Sequence, residues 1–492
     1  MEYLSAFSKE PYKLYINGSF VPSDSGEIIE MRNPATGELL AKAYQGNEED
    51  AQMAIFAARK AFDEGPWGEM SGTERGVYLS KAREILASRA ESFAKIETAD
   101  AGKNYPGVLH YEVQQSIDAF DFYAHKARTI SGHSMSIDST CFAYGGWRPY
   151  GVVGEILPWN GPLMMGCQKV CAILAAGNTV VIKPPGWASA SLLALAEVFH
   201  DAGFPAGVIN IVTGSGSVVG DAIVRSPLVD MVSMTGSTST GKEIIRSSAD
   251  TIKALALELG GKSPNIIFDD VDVESAAKWA TQGFTLHSGQ VCVSGTRILV
   301  QRNIYEHFTK EVSKCCQDFR PGNGFDYEKG VNFNTLIHAN HAKEVWQYIK
   351  SGKDEGARLI CGGEPYTEPE LAKGHFVPPT VFADVTPEMT IFKEEIFGPV
   401  ACITPFDSEK DAITLANMTD YGLAGAVFST DIKRAHRVAE RIRAGQIYIN
   451  TYFSKGILDV PTSGWKESGL GVAGIYKYMN NKSIFVNLEE HN

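Results

Sequence analysis

The sequence predicts an α/β fold built on two mostly parallel sheets. Short apolar runs rich in β-branched residues alternate with longer helical patterns between residues 150 and 261, and a second stretch of alternation follows. The two stretches are separated by Gly260-Gly261-Lys262-Ser263-Pro264, which interrupts both patterns and reads as a hinge or domain boundary. Such alternation implies right-handed strand–helix–strand units whose sheet is covered on both faces.

In chain order, residues 48–63, 73–101 and 113–126 carry amphipathic helical patterns. Residues 129–148 read as extended. Strands follow at 151–157, 179–183, 208–212, 231–234 and 254–257, with helices at 162–176, 189–202, 218–225 and 240–248 between them. In the second region the expected elements are a strand at 265–268, a helix over 273–286, a strand at 296–300 and a helix from 304. A strand at 400–403 and helices at 411–418 and 431–444 come later. The tail at 482–488 is again extended. Extended excursions of this kind pair with another subunit or domain.

The 492 residues exceed one ordinary core, so two or three domains are expected. With 44% hydrophobic and 21% charged residues the composition is that of a soluble globular protein. A net charge of −13 argues against a general nucleic-acid binder, which needs clustered Lys and Arg. No apolar run approaches the roughly 20 residues of a membrane helix, and residues 1–13 lack a signal-peptide core. Eight irregularly spaced cysteines suggest reduced thiols in the cytoplasm, and no ligand spacing supports a metal site.

Two segments carry the chemistry. Gln290-Val291-Cys292-Val293-Ser294-Gly295 offers a thiol among small and apolar residues, and Leu257-Glu258-Leu259-Gly260-Gly261 offers a carboxylate in a similar setting. A thiol and a carboxylate can divide one reaction between them: attack on a carbonyl, then base-assisted hydrolysis of the resulting thioester. Two glycine-rich turns follow strands, at 214–220 and 236–241; neither has the GxGxxG spacing. The second is the stronger candidate for phosphate, because Ser237 precedes a helix whose amides face outward. Lys183 closes a strand, within reach of a ribose.

Taken together the segments resemble the aldehyde dehydrogenase superfamily over nearly the whole chain. The matching motifs, in family order, are Pro158-Trp159-Asn160, Ala175-Ala176-Gly177-Asn178-Thr179-Val180-Val181-Ile182-Lys183-Pro184, Thr235-Gly236-Ser237-Thr238, and Leu257 through Pro264. They continue with Gly289-Gln290-Val291-Cys292, Glu394-Glu395-Ile396-Phe397-Gly398-Pro399-Val400, Asn417 with Tyr421-Gly422-Leu423-Ala424, and Ser468-Gly469-Leu470-Gly471.

The resemblance implies a Rossmann-like cofactor domain (1–126 and 149–258), an α/β catalytic domain (259–472) and an oligomerisation element (127–148 and 473–492). It also implies a homodimer or homotetramer and NAD or NADP as cofactor. By the same resemblance Cys292 is the nucleophile, Glu258 the base and Asn160 an oxyanion donor. Lys183, Trp159, Ser237, Gly236, Glu395, Phe397, Ile156, Pro158 and Leu259 are implied to line the cofactor. Members that transfer the acyl group to coenzyme A differ at the position of Glu258, and members recruited as structural proteins usually lose the thiol or the glutamate. Hydrolysis to a free acid is therefore the expected outcome.

Departures from the family pattern concern cofactor and substrate. Pro185-Gly186 stands where NAD-using members have a small residue and a glutamate, which leaves a 2′-phosphate unopposed. Gly161, Gln168 and Thr462 occupy tunnel positions that are often aromatic, and His287 stands where an amide is common. A wider, more polar tunnel is expected, taking a functionalised aldehyde. Lys126, Arg128 and Lys455 are further candidates for attracting an anionic tail. Residues 330–337 also depart from the family's usual turn, with no functional reading attached.

Overall fold

The computed structural model describes residues 2–453, 458, 460, 463–471 and 474–489. Its first sheet has eight strands in the order Ser19–Val21, Leu14–Ile16, Ile209–Ile211, Thr179–Lys183, Val152–Ile156, Met231–Thr235, Ala254–Glu258, Gly469–Leu470. The five from Ile209–Ile211 to Ala254–Glu258 run parallel. The outer strands are antiparallel additions. Connections turn one way from Val152–Ile156 and then cross to Met231–Thr235 on its other side. That reversal opens a crevice beyond the carboxyl ends of the two neighbouring strands, the place where ligands of such sheets bind. The pair Gly469–Leu470 belongs to this sheet although the expected boundary put it with the second unit.

The second sheet runs Arg358–Cys361, Thr380–Ala383, Val400–Phe406, Arg297–Gln301, Pro264–Ile267, Ala424–Phe428, Gln446–Ile449, parallel except at the first pair. A third sheet joins Met479–Asn487, Cys141–Pro149 and His133–Ser136. The two extended segments, expected to seek another subunit or domain, thus pair first with each other.

The helix Pro162–Ala176 forms as expected because its punctuation is local: Pro162 opens it, and Gly177 closes it at φ 98°. The expected helix over 73–101 is two helices, Gly72–Ser88 and Ala90–Ala101. Ser88 turns its hydroxyl back onto the Ile85 carbonyl, and Arg89 leaves helical geometry to pair with Asp201. The expected helix over 431–444 stops at Ala439. Asn417 ends it by accepting from the Arg443 amide and donating to the Arg441 carbonyl.

Candidate active site

Four neighbouring strands of the first sheet end at one crevice. Val152–Ile156 delivers Ile156, Pro158, Trp159 and Asn160; Thr179–Lys183 delivers Lys183; Met231–Thr235 delivers Gly236 and Ser237; Ala254–Glu258 delivers Glu258 and Leu259. The structure brings these expected residues to the same edge. Ser237 caps the Thr238–Ser247 helix, its hydroxyl accepting from the Thr240 amide at 3.2 Å. Lys183 is buried and donates to the Pro184 carbonyl at 2.6 Å; burial lowers its amine to about 8. A Cβ built on Gly186 would meet nothing within 4 Å.

The glycine pair after Glu258 is a close approach, and neither glycine adopts a positive φ. A Cβ on Gly260 would lie 2.2 Å from Glu395 Oε2, and one on Gly261 would lie 2.4 Å from the Cys292 carbonyl oxygen. The two sheets therefore meet at these glycines. Glu395 accepts from the Gly261 amide at 2.9 Å. Burial raises its carboxyl to about 7, opposed by the Gly261 hydrogen bond and the Lys262 charge. Phe397 packs edge-on against Trp159, with ring centroids 5.4 Å apart. Glu395 and Phe397 from the second unit thus meet the edge of the first sheet.

The loop before Cys292 is strained. His287, Ser288 and Gly289 have φ of 49°, 52° and 73° in succession, a conformation that costs non-glycine residues on the order of 1 kcal/mol or more each. Gly289 has no alternative, since a Cβ there would lie 2.2 Å from the Gly398 carbonyl oxygen. Neutral hydrogen bonds hold the loop. Gln290 donates to the His287 and Thr335 carbonyls and accepts from the Ile337 amide, while Ser288 donates to the Asn334 carbonyl at 2.6 Å. The 330–337 segment, without a reading from sequence, is thus a brace for the nucleophile loop.

Asn160 reaches the same loop, donating Nδ2 to the Gln290 carbonyl at 2.9 Å. Its second N–H has no partner among the described residues. Tyr452 donates to the Val293 carbonyl at 2.7 Å. The Cys292 thiol is pushed up to about 12, first by burial and then by the charges of Glu395 and Glu258; the Val293 and Cys292 amides act in the opposite direction. The thiol therefore keeps its proton at neutral pH. Glu258 Oε1 stands 3.9 Å from Lys477 Nζ.

Among the expected tunnel residues, Gly161 opens the Pro162–Ala176 helix and Gln168 lies half-buried within it. His287 is buried beneath the nucleophile loop, its Nδ1 3.4 Å from Asn334 Nδ2. Burial, with Lys103 and His341 nearby, holds the imidazole neutral. Thr462 and Lys455 fall outside the described residues. Sequence reasoning missed Gln290, Asn334, Tyr452 and Lys477 as parts of the site. Gln290 had a signal, an amide two residues before the nucleophile; Lys477 had none.

Residues 20–484 match the family model for the aldehyde dehydrogenase family. The chain belongs to that family. It is 40% identical to the putative aldehyde dehydrogenase DhaS of Bacillus subtilis strain 168, over 99% of this chain and 98% of the relative. The NAD+ complex of an aldehyde dehydrogenase from Bacillus cereus superposes with a TM-score of 0.95 at 41% identity, covering 99% of each chain. Betaine aldehyde dehydrogenase from Staphylococcus aureus with NAD+ gives 0.96 at 35% identity, covering 100% of this chain and 98% of that one. The aldehyde dehydrogenase fold and an oxidoreductase activity of that family follow for this chain.

Proposed function

We propose that this aldehyde dehydrogenase oxidises a polar or functionalised aldehyde to the free carboxylic acid, with NAD or NADP as hydride acceptor. The observation that carries the reading is the approach of the two glycines after Glu258 to the Cys292 carbonyl and to Glu395, which sets thiol and carboxylate on one crevice. The Cys292 thiol gives up its proton to solvent as Sγ adds to the aldehyde carbon. The oxyanion accepts from the second N–H of Asn160 and from the Cys292 amide. NAD or NADP, when bound, would supply the hydride acceptor for oxidising the adduct to the thioester. Glu258 takes a proton from water, the water oxygen attacks the acyl carbon, and the thiolate leaves.

Lys183 is read as the ribose ligand, Ser237 and Gly236 with Trp159 as the pyrophosphate cradle, and Glu395 as the nicotinamide ribose ligand. Phe397, Ile156, Pro158 and Leu259 are read as the apolar walls. The NAD+ complexes of the relatives support the cofactor class. The open space at Gly186 supports acceptance of NADP. Gln168 and Gly161 support the polar tunnel.

Three further readings complete the proposal. The division into 1–126 with 149–258, 259–472, and 127–148 with 473–492 is supported by the three sheets, apart from Gly469–Leu470, which joins the first. A homodimer or homotetramer is supported by the apolar side chains left outward on the third sheet, with Phe485 69% and Met135 57% exposed. Eight unpaired cysteines support a reducing, cytoplasmic location.

The test is cofactor reduction measured with and without coenzyme A, over a panel of propanal, benzaldehyde and a carboxylated aldehyde. Free acid formed without coenzyme A, fastest from the carboxylated aldehyde, is expected. Best turnover of propanal contradicts the polar tunnel. A preference for NAD over NADP beyond about a hundredfold contradicts the reading of Gly186.

A further inference from the structure

A polar stripe crosses one face of the first sheet directly behind Glu258. Strand register sets Glu155, Ser233 and Ala256 side by side, and Glu258 follows Ala256 by two residues, on the same face. Glu155 is fully buried, and Lys169 of the Pro162–Ala176 helix stands 3.2 Å from its Oε1. Neither Glu155 oxygen has an aligned hydrogen-bond donor among the described residues. Lys169 donates to Ser233 Oγ at 3.3 Å, and Ser233 Oγ lies 3.4 Å from the Tyr478 hydroxyl. Lys477 lies against this group, its ammonium 3.9 Å from Glu258 and its side chain 10% exposed.

With every group ionised, Glu155, Lys169 and Lys477 carry a net +1 in a buried place. Glu258 is the carboxylate beside them that balances it. An uncompensated buried charge is costly, so the cluster draws the Glu258 carboxylate toward Lys477. We propose that Lys477 is the positioning residue for Glu258, presenting a positive charge that holds the carboxylate in place for thioester hydrolysis. This rests on the reading of Glu258 as the water-activating base. Adding the thiol to a carbonyl does not call on Lys477.

The groups facing Lys477 are Glu258, Glu155, Lys169 and the Tyr478 ring. Burial, then the like charge of Lys169, lowers its amine to about 8, against the pull of Glu258 and Glu155. Its support therefore fades as pH rises through about 8. An arginine in its place keeps its charge there.

The experiment uses 4-nitrophenyl acetate, which acetylates Cys292 with a burst of 4-nitrophenolate and then turns over at the rate of deacylation. Lys477→Met is expected to keep the burst and to lose about tenfold in the steady state. Lys477→Arg is expected to recover most of that rate and to lack the alkaline fall of the wild type near pH 8. A Lys477→Met steady state equal to wild type across pH overturns the proposal, as does a burst that falls in proportion to it. Glu258→Gln run alongside separates the two claims. A wild-type steady state in that variant overturns the base reading itself. A slow one beside an unaffected Lys477→Met overturns only the role of Lys477.

Discussion

The two halves of the site are positioned by different physics. The thiol half is a loop in an unfavourable backbone conformation, held by neutral hydrogen bonds from Gln290, Ser288 and Asn160. The carboxylate half is the end of a regular parallel strand, with the Lys477 ammonium 3.9 Å from Glu258. A nucleophile must meet its substrate along one direction, which a braced loop supplies. A base must be aimed at its water, and a cation beside the carboxylate fixes where it points.

This contrast can be broken from either side. Cys292→Ala is expected to reduce aldehyde oxidation to background while leaving the cofactor bound, as read by cofactor fluorescence. Residual turnover near wild type would remove the thiol from the mechanism. Asn160→Ala should cost about a hundredfold in kcat, the usual worth of one oxyanion donor. A change in KM alone would reassign it to substrate binding.

Gln290→Ala sharpens the loop side. It strips the Ile337 amide and the Thr335 and His287 carbonyls of a buried partner, so unfolding should become easier by about 2 kcal/mol. Chemical denaturation measures this, and an unchanged midpoint would mean that the brace is dispensable.

Glu395 gives the most conditional effect, one that appears only as pH changes. Its folded carboxyl is raised from the ordinary 4.5 to about 7, so the folded state holds a proton that the unfolded chain gives up earlier. Wild-type stability is therefore lost as pH rises from about 4.5 to about 7, by on the order of 3 kcal/mol at most. Glu395→Gln should remove that slope in a series of melting curves. A parallel slope in both proteins would contradict the burial argument.

How much of this was legible in the sequence depended on whether the cause was local. The Pro162–Ala176 helix and the Thr179–Lys183 strand were readable because proline, glycine and a β-branched run mark them in place. The break at Arg89 and the stop at Ala439 were not, because Asp201 and Asn417 act from distant segments. The helix Ala339–Asp354 and the strand Ala424–Phe428 went unread, the latter because its small residues resemble a loop. At the site, Cys292, Glu258 and Asn160 stood in motifs. Lys477, and the bracing role of residues 334–337, emerge only once chain ends far apart in sequence are packed together.

The central claim is that Cys292 and Glu258 divide acylation and hydrolysis between them. Mixing Glu258→Gln with NAD and an aldehyde substrate, quenching, and weighing the protein tests it most directly. The account predicts that the acyl group accumulates on Cys292 as a thioester, with turnover at least about a hundredfold below wild type. Turnover at the wild-type rate with no adduct on Cys292 would contradict it.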